Sequence, residues 1–541
     1  MSRLSDHLMI LPVALPLLAG AVMLALGGES RRNINAAINV IATLALVAVA
    51  IALIRDADAS PTGLSGVYRL GDWPAPFAIV LVVDRLSALM ILLTSLLASA
   101  AVIFSLARWH RAGVLFHPLF QFLLMGINGA FLTGDLFNLF VFFEVLLAAS
   151  YGLALHGSGS PRVLAGLQYI VVNLVASLFF LIGVSLIYGV AGTLNMADLA
   201  ARVSSIRAED RALLEAGAGI LGIAFLTKAA MWPLCFWLPG TYAAAAPPVA
   251  AVLTILTKVG AYVVLRLWLL VFAEGAGSSP QFGDELLMIG GIATITFGTI
   301  GCLASQDMAR LAGFSVVVSS GTVLAAIGMG QVGVTAALLY YLISSTLGLA
   351  AFFLLIELVE RGREPGADVI AVTREAYGDD EDELEEPEEV GIAIPATMGM
   401  LGLAFVGCAV MIAGLPPLSG FVAKFALLTA AMNSQPGAIS VGAWILLAAL
   451  LLSGLAALIA MTRAGIRVLW AAPERSVPRV RLIEMAPIAV LLLLCALQTV
   501  QAGPIMRFMQ ATAQSLHTPD VYIRGVLGAA AEQPIGSKGG T

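Results

Sequence analysis

The sequence over 224–266 is AFLTKAAMWPLCFWLPGTYAAAAPPVAAVLTILTKVGAYVVLR, and it decides the fold class of the chain. It is apolar enough for two membrane spans, yet it contains four prolines and two lysines. Proline removes a backbone donor from a helix, and freed backbone groups at membrane depth are tolerated only inside protein or beside a watery cavity. The stretch therefore predicts a broken membrane helix next to a polar interior.

The composition of the whole chain supports a membrane protein. Of its 541 residues, 60% are hydrophobic and only 11% are charged, whereas soluble proteins are typically about 45–50% apolar and about 25% charged. This excludes a soluble enzyme. The net charge of −6 comes from ten acids within 375–389, without which it would be +4. No basic run with interleaved aromatic residues is present, so we expect no nucleic-acid partner.

We predict an all-α polytopic membrane protein with about 14 transmembrane helices, since a spanning helix needs roughly 20 apolar residues. The first apolar run is too long for a signal peptide, whose apolar region has about 7–15 residues, and we expect it to be retained as a span. The predicted spans are 8–28, 33–54, 78–107, 114–133, 136–156, 162–191, 216–238, 247–273, 285–303, 311–329, 333–360, 394–431, 439–462 and 481–502.

Two of these spans are interrupted by proline. The seventh meets Pro233, Pro239 and Pro247, and the twelfth contains Pro416 and Pro417. Two broken helices in corresponding positions are typical of transporters built from repeats. Because the offset of five spans is odd, the second unit would be inverted relative to the first.

The predicted domain organisation follows from these repeats. It consists of three N-terminal helices, a first five-helix repeat, a second five-helix repeat that carries an acidic loop over 361–390, and a last helix with a C-terminal tail. The corresponding ranges are 1–113, 114–273, 285–462 and 481–541.

Basic residues predict the orientation. Loops after odd-numbered spans hold fourteen arginines, against nine basic residues on the other side. Under the positive-inside rule this places the odd loops in the cytoplasm and both termini outside, in a bacterial inner membrane. The acidic run over 379–389 is then cytoplasmic, and we expect it to be solvated without a transport role.

The placement of lysine is the strongest functional signal. The chain has 24 arginines but only four lysines, and Lys228, Lys258 and Lys424 lie inside apolar spans. Arginine keeps its proton, whereas a buried lysine releases one readily. Glu144 lies in the middle of the fifth span, where a charge costs at least about 2.5–3.5 kcal/mol. These four residues are either proton stations or, for Glu144 and Lys228, a static ion pair that pins two helices.

Other polar residues leave two interpretations open. Asp84, Arg85, Asp135 and Arg266 lie near span ends, where their charged groups can reach water. Hydroxyls on the tenth and eleventh spans either hold water wires or join helices; the candidates are Ser319, Ser320, Tyr340, Tyr341, Ser344 and Ser345.

The remaining motifs predict no further chemistry. The four cysteines lie far apart in apolar stretches without a C-x-x-C motif, and we expect neither a metal nor a cofactor. His110, His117 and His156 lie near helix ends, where surface placement is the default. Gly217, Gly219 and Gly222 form a G-x-G-x-x-G pattern inside an apolar span, which indicates close helix packing rather than a nucleotide site.

Three stretches resemble a known family. They are DLFNLFVFFEVLLAASYGL over 135–153, the opening stretch over 224–266, and GLPPLSGFVAKFALL over 414–428. They are similar to the antiporter-like proton-translocating subunits, which include the large membrane subunits of respiratory complex I. The run FFEVLLAASYGL and the chain length most resemble the D-type subunits of Mrp multisubunit Na⁺/H⁺ antiporters. The likeness covers about residues 80–500.

The resemblance implies fourteen helices, two inverted five-helix repeats and a role for each buried charge. Glu144 matches the family glutamate, Lys228 its partner, Lys258 the connecting lysine and Lys424 the distal lysine. The central histidine that family members often carry is absent, so water with serine and tyrosine hydroxyls would connect Lys258 to Lys424.

The implied function is proton translocation coupled to movement of Na⁺ or another monovalent cation, within a complex of other Mrp subunits. It is a transporter subunit rather than an enzyme. Two alternatives remain: a proton-pumping subunit of a complex I-type dehydrogenase or membrane hydrogenase, and an inert membrane scaffold.

Overall fold

The structure is a computed structural model that describes residues 7–361, 396–433, 439–467 and 479–528. The acidic run over 379–389 lies outside these residues. In the part described, the chain forms nineteen α-helices and a two-stranded hairpin. The helices are α1 (Leu11–Leu26), α2 (Arg32–Ala59), α3 (Arg85–Ser105), α4 (Phe116–Leu132), α5 (Leu136–Ala154), α6 (Ser160–Ala191), α7 (Met196–Val203), α8 (Ala208–Lys228), α9 (Trp237–Ala244), α10 (Pro247–Val271), α11 (Asp284–Ala304), α12 (Met308–Ile327), α13 (Val332–Glu360), α14 (Ala396–Ala413), α15 (Ser419–Met432), α16 (Val441–Gly465), α17 (Leu482–Val500), α18 (Ala502–Leu516) and α19 (Pro519–Leu527).

The helices are those of a polytopic membrane protein. Among the described residues, eleven helices are long and apolar enough to span a bilayer, and three shorter apolar helices accompany them. Each of the fourteen predicted spans has a helical counterpart, although the seventh and twelfth correspond to two helices each. The prediction of a helical polytopic protein is confirmed.

A layer of buried helices occupies the centre of the molecule. Almost every residue of α10 is buried, and α3, α12 and α13 are buried along most of their length. The outer helices α6, α14 and α16 are buried on one side only, as expected when the other side meets lipid or a neighbouring subunit. Lys258 lies on α10 and is therefore at the core of the protein.

The two predicted helix breaks are present. Helix α8 ends at Lys228, and the chain passes through Pro233 before α9 begins at Trp237. Pro239 lies in the first turn of α9, and Pro247 is the first residue of α10, so it begins a helix rather than breaking one. This position suits proline, because its missing N–H would have no partner there.

At the second break, the order of lysine and break along the chain is reversed. Helix α14 ends at Ala413 and α15 begins at Ser419, with Pro416 and Pro417 between them. Lys228 therefore precedes its break, whereas Lys424 follows its break.

The third predicted span begins too early. Residues 78–84 were expected to be helical, but Val80–Asp84 form β2, which pairs antiparallel with β1 (Leu64–Arg69). The run VLVVD is β-branched and favours a strand. Asp84 then caps α3 in a capping box with Ser87. We call the end of the molecule that carries this hairpin the hairpin end, and the opposite end the Trp109 end.

Two of the three glycines of the pattern in α8, Gly217 and Gly222, lie at close contacts with other helices, as predicted, whereas Gly219 has open space around it. A Cβ added at Gly217 would lie 3.0 Å from Leu186 Cβ, and one added at Gly183 would lie 2.6 Å from Leu221 N. Helices α6 and α8 therefore approach closely at these glycines. The element that precedes α8 is the helix α7 rather than a strand.

Candidate functional site

Glu144 lies on α5 and is only partly buried. Its Oε1 accepts a hydrogen bond from Ser177 Oγ on α6 at 2.5 Å. Within the described residues, no lysine or arginine nitrogen lies within 4.0 Å of its carboxylate. The static ion pair between Glu144 and Lys228, the alternative to a pair of proton stations, is therefore not formed in this structure.

Lys228 is the last residue of α8 and is 5% exposed. Its Nζ lies 4.9 Å from the centre of the Phe143 ring, next to Glu144 in the sequence. This distance is within the range of a cation–π contact. Among the described residues, Lys228 Nζ has no hydrogen-bond partner. A buried cation in this state is costly unless it can lose its proton or find a partner.

A glycine brings Lys228 close to the helix that carries Lys258. A Cβ at Gly260 on α10 would lie 2.7 Å from Ala229 N and 3.0 Å from the carbonyl carbon of Lys228. Real Cβ atoms do not approach backbone so closely, so only glycine fits here. The end of α8 and the middle of α10 are therefore in direct backbone contact.

Lys258 is completely buried and has no carboxylate partner within the described part of the chain. Its Nζ donates to Ser319 Oγ on α12 at 2.8 Å. Ser319 Oγ in turn donates to Ser345 Oγ on α13 at 3.0 Å. Two consecutive hydrogen bonds, from the Lys258 ammonium to one hydroxyl and on to a second, thus connect α10, α12 and α13.

A cavity connects this chain to Lys424. It has a volume of about 40 Å³, which leaves room for a few water molecules, since one needs roughly 10–15 Å³ by this measure. Its polar lining consists mainly of Ser315, Ser319, Tyr341, Ser344, Ser345 and Lys424. Lys258 and Lys424 are therefore linked through hydroxyls and a polar cavity.

Lys424 also contacts the broken helix beside it. Its Nζ donates to Ala413 O at 2.9 Å and to Ile412 O at 3.2 Å, at the end of α14. Carbonyls at a helix C-terminus attract a cation. Gly414 has φ +78°, and a Cβ there would lie 2.6 Å from Lys424 Cδ, so the break also makes room for this side chain.

Not every candidate hydroxyl faces the cavity. Ser344 does line it, and its Oγ is hydrogen-bonded to Ser419 Oγ at 2.9 Å, at the start of α15. Tyr340 instead donates to Gln498 O on α17 at 2.8 Å. Ser320 is buried, and its hydroxyl has no partner among the described residues. Tyr340 therefore joins helices, and Ser320 lies outside the chain of hydroxyls.

Asp84 and Arg266 form a pair with each other rather than reaching water separately. Arg266 on α10 donates to both carboxylate oxygens of Asp84 at 2.5 and 2.8 Å. Their side chains are 13% and 9% exposed, respectively. The pair ties α10 to the hairpin two turns beyond Lys258. Asp135 caps α5 by accepting from Asn138 N at 2.8 Å.

The expectation that the three histidines lie at the surface is wrong. His110, His117 and His156 are all buried at the Trp109 end. His117 is hydrogen-bonded to Asn39 on α2 at 2.8 Å, and His156 to the Trp109 carbonyl at 2.8 Å. Burial lowers the pKa of His156. Helix ends usually are exposed, but His117 lies in the first turn of α4 and faces α2, and His110 and His156 pack against the rings of His117 and Phe116.

A charged network at the Trp109 end was not predicted. Glu357 at the end of α13 accepts from Trp109 Nε1 at 2.6 Å and from Arg361 at 2.9 Å. Arg361 also donates to both oxygens of Glu484 at 2.7 and 3.0 Å. The only sequence signal is an acid near the end of an apolar run.

Two wider cavities open at opposite ends of the molecule. One of about 250 Å³ lies at the Trp109 end, beside Arg108, Glu357 and the start of α10. The other, of about 1060 Å³, lies at the hairpin end beside Glu274 and Asp284, between the ends of α10 and α15. Buried proton-binding groups thus lie between openings on two sides, an arrangement suited to moving protons across a membrane.

A family sequence model and individual proteins that are similar to this chain point to the same family. Residues 133–451 match the sequence model of the family described as "NADH:quinone oxidoreductase/Mrp antiporter, TM". The chain is 60% identical over 530 residues to a D-type subunit of a probable K(+)/H(+) antiporter of Rhizobium meliloti, covering 97% of this chain and 98% of that protein. It is 32% identical over 528 residues to the D-type subunit of the Na(+)/H(+) antiporter of Alkalihalophilus pseudofirmus, covering 96% and 99%.

A solved structure has the same fold. A chain in the structure of the Mrp complex from Dietzia sp. superposes with a TM-score of 0.82 at 26% identity, covering 97% of this chain and 100% of that chain. The agreement extends over nearly the whole length of both chains. The chain therefore belongs to the NADH:quinone oxidoreductase/Mrp antiporter transmembrane family.

Proposed function

We propose that this chain is the proton-translocating subunit of a multisubunit monovalent cation/proton antiporter of the Mrp type. The observation that carries the proposal is Lys258, a fully buried lysine without a carboxylate partner in the described residues, bonded to serine. Such a group would only destabilise a static scaffold, because burying an unpaired charge is costly. A relay needs it, because a buried lysine can release its proton.

In the proposed mechanism, protons pass along Glu144, Lys228, Lys258 and Lys424. The contact between α8 and α10 at Gly260 supports transfer between Lys228 and Lys258. The hydroxyls of Ser319 and Ser345, with water in the adjoining cavity, support transfer from Lys258 to Lys424. The lysines are coupled because a charge on one disfavours a charge on its neighbour.

The exchanged ion is K⁺ or Na⁺. The relative at 60% identity is named a probable K(+)/H(+) antiporter subunit, and the one at 32% identity a Na(+)/H(+) antiporter subunit. A subunit of a redox-driven complex is less supported, because the more similar relatives carry antiporter names. The chain would act with the other subunits of its complex in a bacterial inner membrane, as a transporter rather than an enzyme.

The orientation and the domain division belong to this proposal. The arginine distribution supports an orientation with the Trp109 end in the cytoplasm and both termini outside. The cavity of about 250 Å³ would then open inward and that of about 1060 Å³ outward. The two repeats over 114–273 and 285–462 would each contribute one broken helix and one side of the path.

The decisive test removes Glu144. We expect Glu144→Ala to abolish cation/proton antiport in vesicles from an antiporter-deficient host that co-expresses the other subunits, while the complex still assembles. The matched control is Glu209→Ala, which removes an exposed glutamate paired with Arg207 on the same protein. Assembly is measured by co-purification, and K⁺ and Na⁺ are compared as the driving cation. Normal transport by an assembled Glu144→Ala complex would contradict the proposal.

A further inference from the structure

Glu144 and Lys228 do not contact each other directly, and each has a different partner. The Glu144 carboxylate accepts from Ser177 on α6 at 2.5 Å, and this is the only hydrogen bond to its side chain among the described residues. The Lys228 ammonium lies over the Phe143 ring. Phe143 and Glu144 are adjacent on α5. The Lys228 ammonium therefore lies near the Glu144 carboxylate, but the two groups do not form an ion pair.

Ser177 is built into the packed face of α6. It is 6% exposed, and Phe180 lies one turn further along the same helix. The Phe180 ring centre is 6.0 Å from that of Phe143 and 5.2 Å from that of Phe225 on α8. These rings fill the space between α5, α6 and α8 and keep the serine hydroxyl directed at the carboxylate in an otherwise apolar environment.

A hydroxyl is well suited to hold a carboxylate that must later move. A hydrogen bond from a neutral donor to a charged group is stronger than a neutral pair, yet it is weaker than a buried ion pair. A lysine or arginine at position 177 would hold Glu144 permanently, whereas an alanine would leave Lys228 as its main partner. Serine allows exchange between the two.

We propose that Ser177 is a positioning residue for proton transfer, which holds the Glu144 carboxylate on α6 while Lys228 rests on Phe143 without an ion pair. Glu144 then alternates between Ser177 and Lys228, and the pair with Lys228 forms only in the second position. Without the serine hydroxyl, Glu144 stays with Lys228, and the ammonium releases its proton more slowly. This inference rests on the proposed function.

The test uses three serine variants in the complete antiporter complex. Ser177→Ala removes the hydroxyl, and Ser177→Thr keeps one at the same position. The control is Ser185→Ala two turns further along α6, where an exposed hydroxyl donates only to Leu181 O. We expect Ser177→Ala to slow vesicle antiport about tenfold, the ratio that loss of one hydrogen bond to a charged group gives. Ser177→Thr should restore most of the rate, and Ser185→Ala should leave it unchanged.

Infrared difference spectroscopy separates positioning from a packing defect. Comparing the wild type with Glu144→Gln identifies the carboxylate band of Glu144, because only that group changes. We expect the band to shift in Ser177→Ala and to return in Ser177→Thr, since its position depends on the hydrogen bond to the carboxylate. Loss of packing at α6 alone would slow transport without moving the band.

The outcomes distinguish this inference from the proposed function. If Glu144→Gln still transports at the wild-type rate, the proposed function itself fails. If Glu144→Gln is inactive but Ser177→Ala has the wild-type rate and an unmoved band, only the role of Ser177 is overturned. A Ser177→Thr variant as slow as Ser177→Ala would also overturn it, because the hydroxyl would then not be the group that acts.

Discussion

The state of Lys228 distinguishes a proton relay from a fixed counter-charge. An arginine at this position keeps a positive charge and can also lie over the Phe143 ring, so a structural tether would survive the substitution. A relay would not survive, because arginine holds its proton to above about pH 12. We expect Lys228→Arg to assemble normally and to lose vesicle antiport almost as completely as Lys228→Ala.

The opposite result has a clear meaning. Antiport near the wild-type rate in an assembled Lys228→Arg complex would make Lys228 a fixed charge, and the proton path would have to avoid it. Co-purification of the other subunits with each variant controls for assembly.

Two neighbouring serines on α12 test the path beyond Lys258. Ser319 accepts from Lys258 and donates to Ser345, whereas the buried Ser320 has no partner among the described residues. We expect Ser319→Ala to reduce vesicle antiport by about tenfold or more, since it breaks a bond to a charged group. Ser320→Ala should keep the wild-type rate. Equal effects of the two substitutions would mean that α12 tolerates no change here and that the hydroxyl chain carries no protons.

At the scale of single residues, the sequence identifies the buried charged residues, but it does not identify the residues that they contact. The three buried lysines stand out because the chain has so few others. Ser177 could not be found in this way, because a hydroxyl in an apolar helix can bond to its own backbone and gives no signal. The partners Asp84 and Arg266 are 182 residues apart, and the packing of α10 against α3, the helix that Asp84 caps, brings them together.

At the scale of helices, proline predicts both breaks but apolar runs alone mislead. The third span was extended over 78–84 because a buried strand and a helix look alike in a short apolar run. Strand β2 is set by pairing with β1, which lies more than ten residues earlier. The helices α18 and α19 were missed because their apolar residues lie on one face and do not form a long apolar run.

The contact between α8 and α10 provides a prediction about an element. A Cβ at Gly260 would meet the backbone at Ala229 and Lys228, which cannot move like a side chain. We expect Gly260→Ala to push the helices apart, to destabilise the protein by about 1–3 kcal/mol as for other overpacked sites, and to slow antiport. Thermal unfolding in detergent and vesicle transport measure the two effects.

Gly219 is the matched control for this substitution. It lies on α8, and a Cβ there would have nothing within 4 Å. Since alanine is favoured over glycine inside a helix by roughly 1 kcal/mol, Gly219→Ala should be neutral or stabilising and should transport normally. If Gly260→Ala behaves in the same way, the helices can separate without cost and the close contact has no role.

In the whole molecule, the charged groups of the proposed proton path lie at different depths between the outer surface and the core. Lys258 is on the fully buried α10, whereas Glu144 is on α5 near the outside. Phe137 and Val141 precede Glu144 at positions seven and three residues back, and both are exposed. Glu144 therefore lies beside an apolar stripe on the outer surface of the helix bundle.

This surface gives the last prediction, that the chain by itself does not transport. A carboxylate facing lipid at the bilayer centre costs at least about 2.5–3.5 kcal/mol as an ion, so the isolated chain leaves Glu144 in an unfavourable position. A neighbouring membrane subunit that covers Phe137 and Val141 would keep the carboxylate in a protein environment, where it can exchange protons with Lys228. We expect the purified chain in liposomes to show no cation/proton antiport, and co-expression with the remaining subunits to restore it. Robust antiport from the single chain would mean that Glu144 functions without a covering partner, and that the path from α5 to α15 is complete within one polypeptide.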